Sequence, residues 1–262
     1  HTRPPNPVPI NATLNNYYYV FNAAAALAER QTAGEGSFAR SAVYFLPQIA
    51  TEIPSALGNS ILVALSMVVI NVIGATMAGY SFARVRFRGS WPLFLFTITS
   101  RLLPPVAVLI PFYLIIKSLG LLDTLFALVL IYSAYTLPIS IWIIHGYLQA
   151  LPPDLEEAAR VDGYSRLEVI FNTVFPVMRP GIVAIGIYSF MLAYVEFFFA
   201  FVLTGTASSH TMPVIIASMG ANPVSPTGIL MAAGMVTMVP PVLLILFFRR
   251  YIISGLVTSA VK

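Results

Sequence analysis

The sequence predicts an all-α protein that crosses a lipid bilayer several times, and three observations predict it. Hydrophobic residues make up 58% of the 262 residues and charged residues only 9%, whereas soluble domains carry roughly 25% charged residues. Residues 53–83 contain no Asp, Glu, Lys or Arg, and about 20 apolar residues suffice for a helix to cross ~30 Å of hydrocarbon. The charges that remain cluster between apolar runs. Backbone polar groups find no water inside a bilayer, so the spans are read as helices.

The elements follow in order. Residues 1–55, rich in Asn, Pro, Ala and Tyr, read as an external segment with one short helix around 22–30. A transmembrane domain covers 56–251. Its first span lies near 56–83. The second runs from about Trp91 to Ile116 and carries Arg101 with Pro104, Pro105 and Pro111. The third lies near 125–147 around Pro138, the fourth near 181–203, and the fifth near 228–248 around Pro240-Pro241. Each internal proline removes a backbone donor and is expected to kink its helix. Residues 204–226 are polar and turn-rich and read as a second external segment, and 252–262 form a C-terminal tail.

Orientation follows from lysine and arginine, which gather in cytoplasmic loops. One set of loops holds Arg84, Arg86, Arg88, Arg160, Arg166, Arg179, Arg249, Arg250 and Lys262; the opposite set holds Arg3, Arg30, Arg40 and Lys117. The richer set is placed in the cytoplasm, with the loop at 150–180 and the C-terminus. An external segment that leads into an inward-running span requires an earlier outward one. Five spans are therefore read here, and a sixth is expected ahead of residue 1.

The loop at 150–180 is the most distinctive stretch. Five of the ten acidic residues lie in it: Asp154, Glu156, Glu157, Asp162 and Glu168. Pro152-Pro153 suits a helix start. Asp154, Glu156 and Glu157 favour the positive end of the helix dipole. Ala158 and Ala159 are strong helix formers with little side chain. Gly163 is suited to the left-handed conformation that ends a helix. Ser165-Arg166-Leu167-Glu168 fits a capping box that opens a second helix, with Leu167, Val169, Ile170 and Val174 toward the membrane. The prediction is a compact helix–turn–helix that presents acids and small residues to a partner; the bland alternative is an interfacial amphipathic helix with none.

These residues resemble a known pattern. Glu157-Ala158-Ala159, three residues, Gly163, nine residues, then Thr173-Val174-Phe175-Pro176 is similar to the EAA loop of ABC importer permeases, departing from it at Thr173 and Phe175. Ala78 through Gly89, Ile110-Pro111, Gly120 through Thr124 and the C-terminal Ser254 through Lys262 resemble the maltose-type carbohydrate permeases. The resemblance implies the type I ABC importer transmembrane fold and a permease subunit that forms half of a pathway for a sugar or sugar derivative, acidic or glycerol-linked sugars included. It implies two cytoplasmic ATPase subunits, which bind ATP and magnesium, a second permease subunit and an extracytoplasmic solute-binding protein, in a bacterial or archaeal cell membrane. This chain would bind no cofactor. The coupling role falls on Glu157, Ala158, Ala159, Asp162, Gly163 and Pro176: Glu157 to pair with a basic ATPase residue, the alanines to allow close contact, Gly163 to make the bend. Ala193-Tyr194-Val195-Glu196-Phe197 resembles a W-N-E-F segment of the family, departing at Tyr194 and Val195.

Arg101 and Glu196 are charges within apolar spans, ~15 and ~22 Å deep at 1.5 Å per residue. A charge at that depth usually faces a cavity or a partner. With Tyr194 they are candidates for the translocation path; a structural Arg101–Glu196 pair, or contacts with a sister permease, are the alternatives. Tyr132, Tyr135, Tyr188, Phe190 and Phe198 read more readily as packing than as sugar-stacking residues.

Other classes find less support. There is no G-x-x-x-x-G-K-[ST], so an ATPase within this chain is excluded, and no H-E-x-x-H or G-x-S-x-G marks a membrane enzyme. A secondary transporter would show an internal repeat, and none is visible. With no cysteine, the chain offers neither disulfides nor a thiolate metal site, and His145 has no second ligand at metal spacing. A net charge of +4 comes from loop arginines rather than from a nucleic-acid stripe.

Overall fold

The computed structural model describes residues 14–23, 48–85, 87–223 and 225–260. All regular structure among them is helical: α1 (Asn15–Phe21), α2 (Ile53–Arg84), α3 (Ser90–Thr99), α4 (Pro105–Ser118), α5 (Leu125–Ala150), α6 (Asp154–Val161), α7 (Arg166–Val169), α8 (Phe175–Val177), α9 (Arg179–Val195), α10 (Phe198–Leu203), α11 (Met212–Ala221) and α12 (Thr227–Ala260). Short 3-10 turns at Gln48–Glu52 and Ser100–Leu102 precede α2 and follow α3, and a π turn at Ile170–Val174 joins α7 to α8. The helix expected around 22–30 falls almost wholly outside the described residues; α1 lies just before it.

Three helices are long and apolar enough to cross a bilayer, Ile49–Arg84, Leu125–Ala150 and Thr227–Arg249, and two bent pairs bring the number of spans to five if each pair is one span. The second predicted span is one of these pairs. Its halves, Ser90–Leu102 and Pro105–Ser118, meet at 102°. Pro104 takes an extended backbone at the junction, where consecutive prolines lack N–H donors and disfavour the helical conformation of the residue before them. The fourth predicted span also differs, because α9 stops at Val195 and α10 begins at Phe198. Pro111, Pro138 and Pro240-Pro241, by contrast, lie inside continuous helices.

α2 and α5 run side by side and α9 packs on both. Where α2 meets α5 there is no room for a side chain: a Cβ on Gly79 would stand 2.6 Å from Ile144 Cγ2. The centre of this three-helix seam is polar. Asn71 Nδ2 donates to Thr136 Oγ1 (2.6 Å) and Ser189 Oγ (3.0 Å), all three residues being buried. Such bonds tie one register of three helices together, since in an apolar surround each amide donor needs a partner. An apolar core of Met67, Leu128, Tyr132, Phe190 and Phe199 lies toward one end. A second, with Ile144, Leu148, Val174, Met178 and Ile185, lies toward the other and takes in Ala159 and Val169 of the 150–180 loop. Large apolar side chains elsewhere point outward, among them Trp91, Phe96, Leu102 and Phe247, as lipid-facing or partner-facing helices require.

Candidate functional site

The 150–180 segment folds as a helix–turn–helix through the caps its residues encode. α6 carries Asp154, Glu156 and Glu157 in its first turn and Arg160 in its last, the arrangement the helix dipole favours. Gly163, at φ +92°, closes it: its N–H donates to Arg160 O (3.1 Å), and the Tyr164 N–H donates to Ala159 O (3.2 Å), the paired bonds of a Schellman ending. A Cβ there would meet open space, so the need for glycine is conformational rather than steric. The capping box forms as expected: the Ser165 N–H donates to Glu168 Oε2 (2.7 Å) and the Glu168 N–H to Ser165 Oγ (3.4 Å). The Ser165 hydroxyl, and then its N–H, hold the Glu168 carboxyl below its ordinary range.

The two alanines divide. Ala159 is buried against the bundle and Ala158 is exposed. Glu157, Asp162 and Pro176 are exposed as well, and among the described residues Glu157 takes part in no ion pair. Of the four residues expected toward the membrane, Val169 and Val174 are buried in the core, Ile170 is half-buried and Leu167 is exposed.

Glu156, which has no role of its own in the sequence reading, makes the contacts that fasten the loop. Its Oε1 is 2.6 Å from Arg84 Nε and its Oε2 accepts from Tyr80 Oη at 2.9 Å. Arg84 Nη2 also donates to Leu151 O (2.9 Å). Both charged side chains are only about one-sixth exposed, at 15% and 16%.

Arg101 and Glu196 sit at the two helix breaks and line one cavity of about 50 Å³ together with Tyr132, Tyr135 and Thr136. The Arg101 guanidinium carbon lies 3.4 Å from the centroid of the Tyr135 ring, within cation–π range. Its Nε and Nη1 are buried without a hydrogen-bond partner. Glu196 accepts from the N–H groups of Phe199 (3.0 Å) and Ala200 (3.2 Å) and so caps α10. No sequence signal marked this role, because glutamate is not among the residues that usually cap a helix start. Tyr194 is not in this cavity. It is buried, its hydroxyl donates to Thr237 O on α12 (3.0 Å), and its ring borders a separate, apolar groove of about 510 Å³ with Met191, Phe197 and Pro241.

At the other end of the bundle, residues 204–212 are held from two sides. Asp123 stands at φ +62° and accepts from the N–H groups of Gly205 (2.7 Å) and Thr206 (3.1 Å), from Thr206 Oγ1 (2.8 Å) and from Ser209 Oγ. The Gly205 N–H, followed by the Ser209 hydroxyl, holds the Asp123 carboxyl down at about 2. From α2, Asn59 Nδ2 donates to the Ser208 and His210 carbonyls (3.1 and 2.9 Å), Ser60 Oγ accepts from the Met212 N–H (2.9 Å), and Glu52 meets His210 Nδ1 at 2.7 Å.

Comparison with known proteins agrees with this architecture. Residues 70–257 match the family model described as "Binding-protein-dependent transport system inner membrane component". The chain is 38% identical over 207 residues to a putative ABC transporter permease of Streptomyces antibioticus, covering 78% of this chain and 89% of that one. It is 34% identical over 210 residues to the trehalose/maltose transport system permease MalG of Thermococcus litoralis, covering 80% and 76%, and 31% identical over 204 residues to the sulfoquinovosyl glycerol transport system permease of Agrobacterium fabrum, covering 78% and 72%. Its fold is similar to that of a bacterial ABC transporter that imports the acidic polysaccharide alginate, with a TM-score of 0.66, 18% identity and 90% of both chains covered. The chain belongs to the family of binding-protein-dependent transport system inner membrane components, the multi-pass permease subunits of ABC importers, which carry no ATPase site of their own.

Proposed function

We propose that this permease forms half of the translocation pathway for a sugar or sugar derivative and takes its driving force from cytoplasmic ATPase subunits seated on residues 150–180. The observation that carries the coupling role is the contrast between neighbouring acids: Glu156 is spent on Arg84 and Tyr80, while Glu157 stands exposed on the outer face of a closed helix–turn–helix. An exposed acid beside Ala158 suits a groove with a basic residue in it. In this reading, Glu157, Ala158, Asp162, Gly163 and Pro176 lie on the face that meets the ATPase, and Ala159 seats the loop. ATP and magnesium are bound by the ATPase subunits. The loop and the C-terminus are cytoplasmic, and residues 1–55 and 204–226 face the solute-binding protein.

Sugar as cargo is supported by the trehalose/maltose and sulfoquinovosyl glycerol permeases among the relatives. Arg101 and Glu196 are assigned to the path, where a guanidinium with two unpaired nitrogens can bond hydroxyl or acidic groups of a solute. Purification of the tagged chain from its native membrane tests the reading. It is expected to bring down an ATPase, a second permease and a solute-binding protein; a chain that purifies alone, with active membranes as the starting material, contradicts it.

A further inference from the structure

The 32-residue helix α2 is bonded at both ends to segments that lie outside the helical bundle proper. At its last turns, Arg84 and Tyr80 grip Glu156 of α6, and Arg84 also holds the Leu151 carbonyl just before α6. At its first turns, Asn59 and Ser60 bond to Ser208, His210 and Met212, with Glu52 on His210 immediately before the helix. Between these ends α2 is continuous. From Gly58 to Arg84 it spans about 39 Å at 1.5 Å per residue.

We propose that Glu156 is a positioning residue for coupling: through Arg84 and Tyr80 it locks α6 to α2, so that α6 and α2 move as one body and motion at the ATPase end reaches residues 206–212 at the far end. Three features favour this over a merely local tie. The Arg84 guanidinium takes two separate groups on either side of the α5–α6 junction, which fixes the direction of α6 as well as its distance. The carboxylate uses both oxygens, on two side chains one helical turn apart on α2. The pair is largely withdrawn from water, where an ion pair is screened less than at a surface. Ala159 on the inner face of α6 packs into the core, so the carboxylate clamp and the apolar contact hold the same short helix at two points.

The inference rests on reading residues 150–180 as the ATPase-coupling loop. It predicts a rigid distance. The chain has no cysteine, so spin labels can be placed at Gly58→Cys, where a side chain meets open space, and at Val161→Cys on α6, which is 87% exposed. The complete importer, with cysteine-free partner subunits, is compared without nucleotide and with Mg-ATP trapped by vanadate. The wild-type distance is expected to stay constant between the two states. In Glu156→Gln the distance is expected to shift or broaden on trapping, with ATP turnover lower by about tenfold and the ATPase still bound. The exchanged pair Arg84→Glu with Glu156→Arg restores the ion pair but not the bond to the Leu151 carbonyl, and is expected to recover both in part, which separates a clamp from a residue needed only for folding. A wild-type distance that changes on trapping, or a Glu156→Gln importer whose distance behaves as the wild type's, overturns the inference. An importer whose ATPase does not depend on residues 150–180 for binding overturns the underlying reading instead.

Discussion

Arg101 and Glu196 stand at two separate breaks in the helical bundle and line the same small cavity, yet they form no ion pair with each other. Glu196 is engaged with the start of α10 and Arg101 with the face of Tyr135. Two guanidinium nitrogens without partners, held in an apolar surround, are costly to keep. In the proposed reading, placement at a break rather than along a helix lets such a group turn toward a solute.

Arg101→Ala is therefore expected to lower uptake of an acidic sugar more than that of a neutral one. Reconstituted importer assayed with an acidic and a neutral sugar should show a change in preference of about tenfold or more, the scale of a lost charge-assisted bond of about 1.5–3 kcal/mol. Equal loss for both solutes would remove the selectivity role and leave Arg101 a structural residue.

Glu196→Ala should destabilise the chain by about 0.5–2 kcal/mol, the range for a lost helix cap. Glu196→Gln, which keeps an acceptor oxygen, should lose less. Thermal unfolding of the detergent-solubilised protein measures both, and an alanine variant as stable as the wild type would deny the capping role.

Two glycines on α2 predict opposite signs. Gly79→Ala drives a Cβ into Ile144 and should cost about 1–3 kcal/mol as overpacking. Gly58→Ala meets nothing and should stabilise by up to about 1 kcal/mol through helix propensity. The order of the two unfolding midpoints decides it.

Asp123 supplies the pH dependence. Its carboxyl lies at about 2 in the folded chain against an ordinary 3.8. A depressed folded value means that the contribution is complete above about pH 4 and is lost as the pH falls through about 2. The stability difference between wild type and Asp123→Asn should thus be present at pH 7 and shrink between about pH 4 and pH 2. A constant difference across that window would show that the clamp does not act through the carboxylate.

The features legible in the sequence are the local ones. The Schellman ending at Gly163 and the capping box of Ser165 and Glu168 depend on residues a few positions apart, and their chemistry is written in residue type. Proline pairs announced irregularity, but not its form. Pro104-Pro105 turns the chain by 102°, while Pro240-Pro241 stays inside a helix, because neighbouring helices decide how the freed carbonyls are satisfied. The long-range pairings were not legible. The resemblance marks Glu157, but nothing local shows that its neighbour Glu156 is taken by Arg84, 72 residues away. Asn71 reads as a minor polar residue in an apolar run until Thr136 and Ser189 arrive from other helices. Asp123 looks like a turn residue until residues 205–209 close over it.

Gly163→Ala should cost about 1–2 kcal/mol, since an L side chain resists φ +92° even with space around it. Gly163→Asn should recover part of that, asparagine being tolerant of the left-handed region. The unfolding midpoints of the two variants check this, and an alanine variant equal to the wild type would mean that α6 ends in another way.

If the exposed helix on residues 154–161 receives the ATPase, Glu157→Arg should unseat it. Glu157 has no partner among the described residues, so the permease itself should keep its unfolding midpoint, as exposed substitutions commonly do within about 0.5 kcal/mol. The measurement is ATPase retained on the purified permease, together with its ATP turnover. Both are expected to fall sharply in Glu157→Arg while the permease stays folded; full retention with unchanged turnover would contradict docking of the ATPase on this helix.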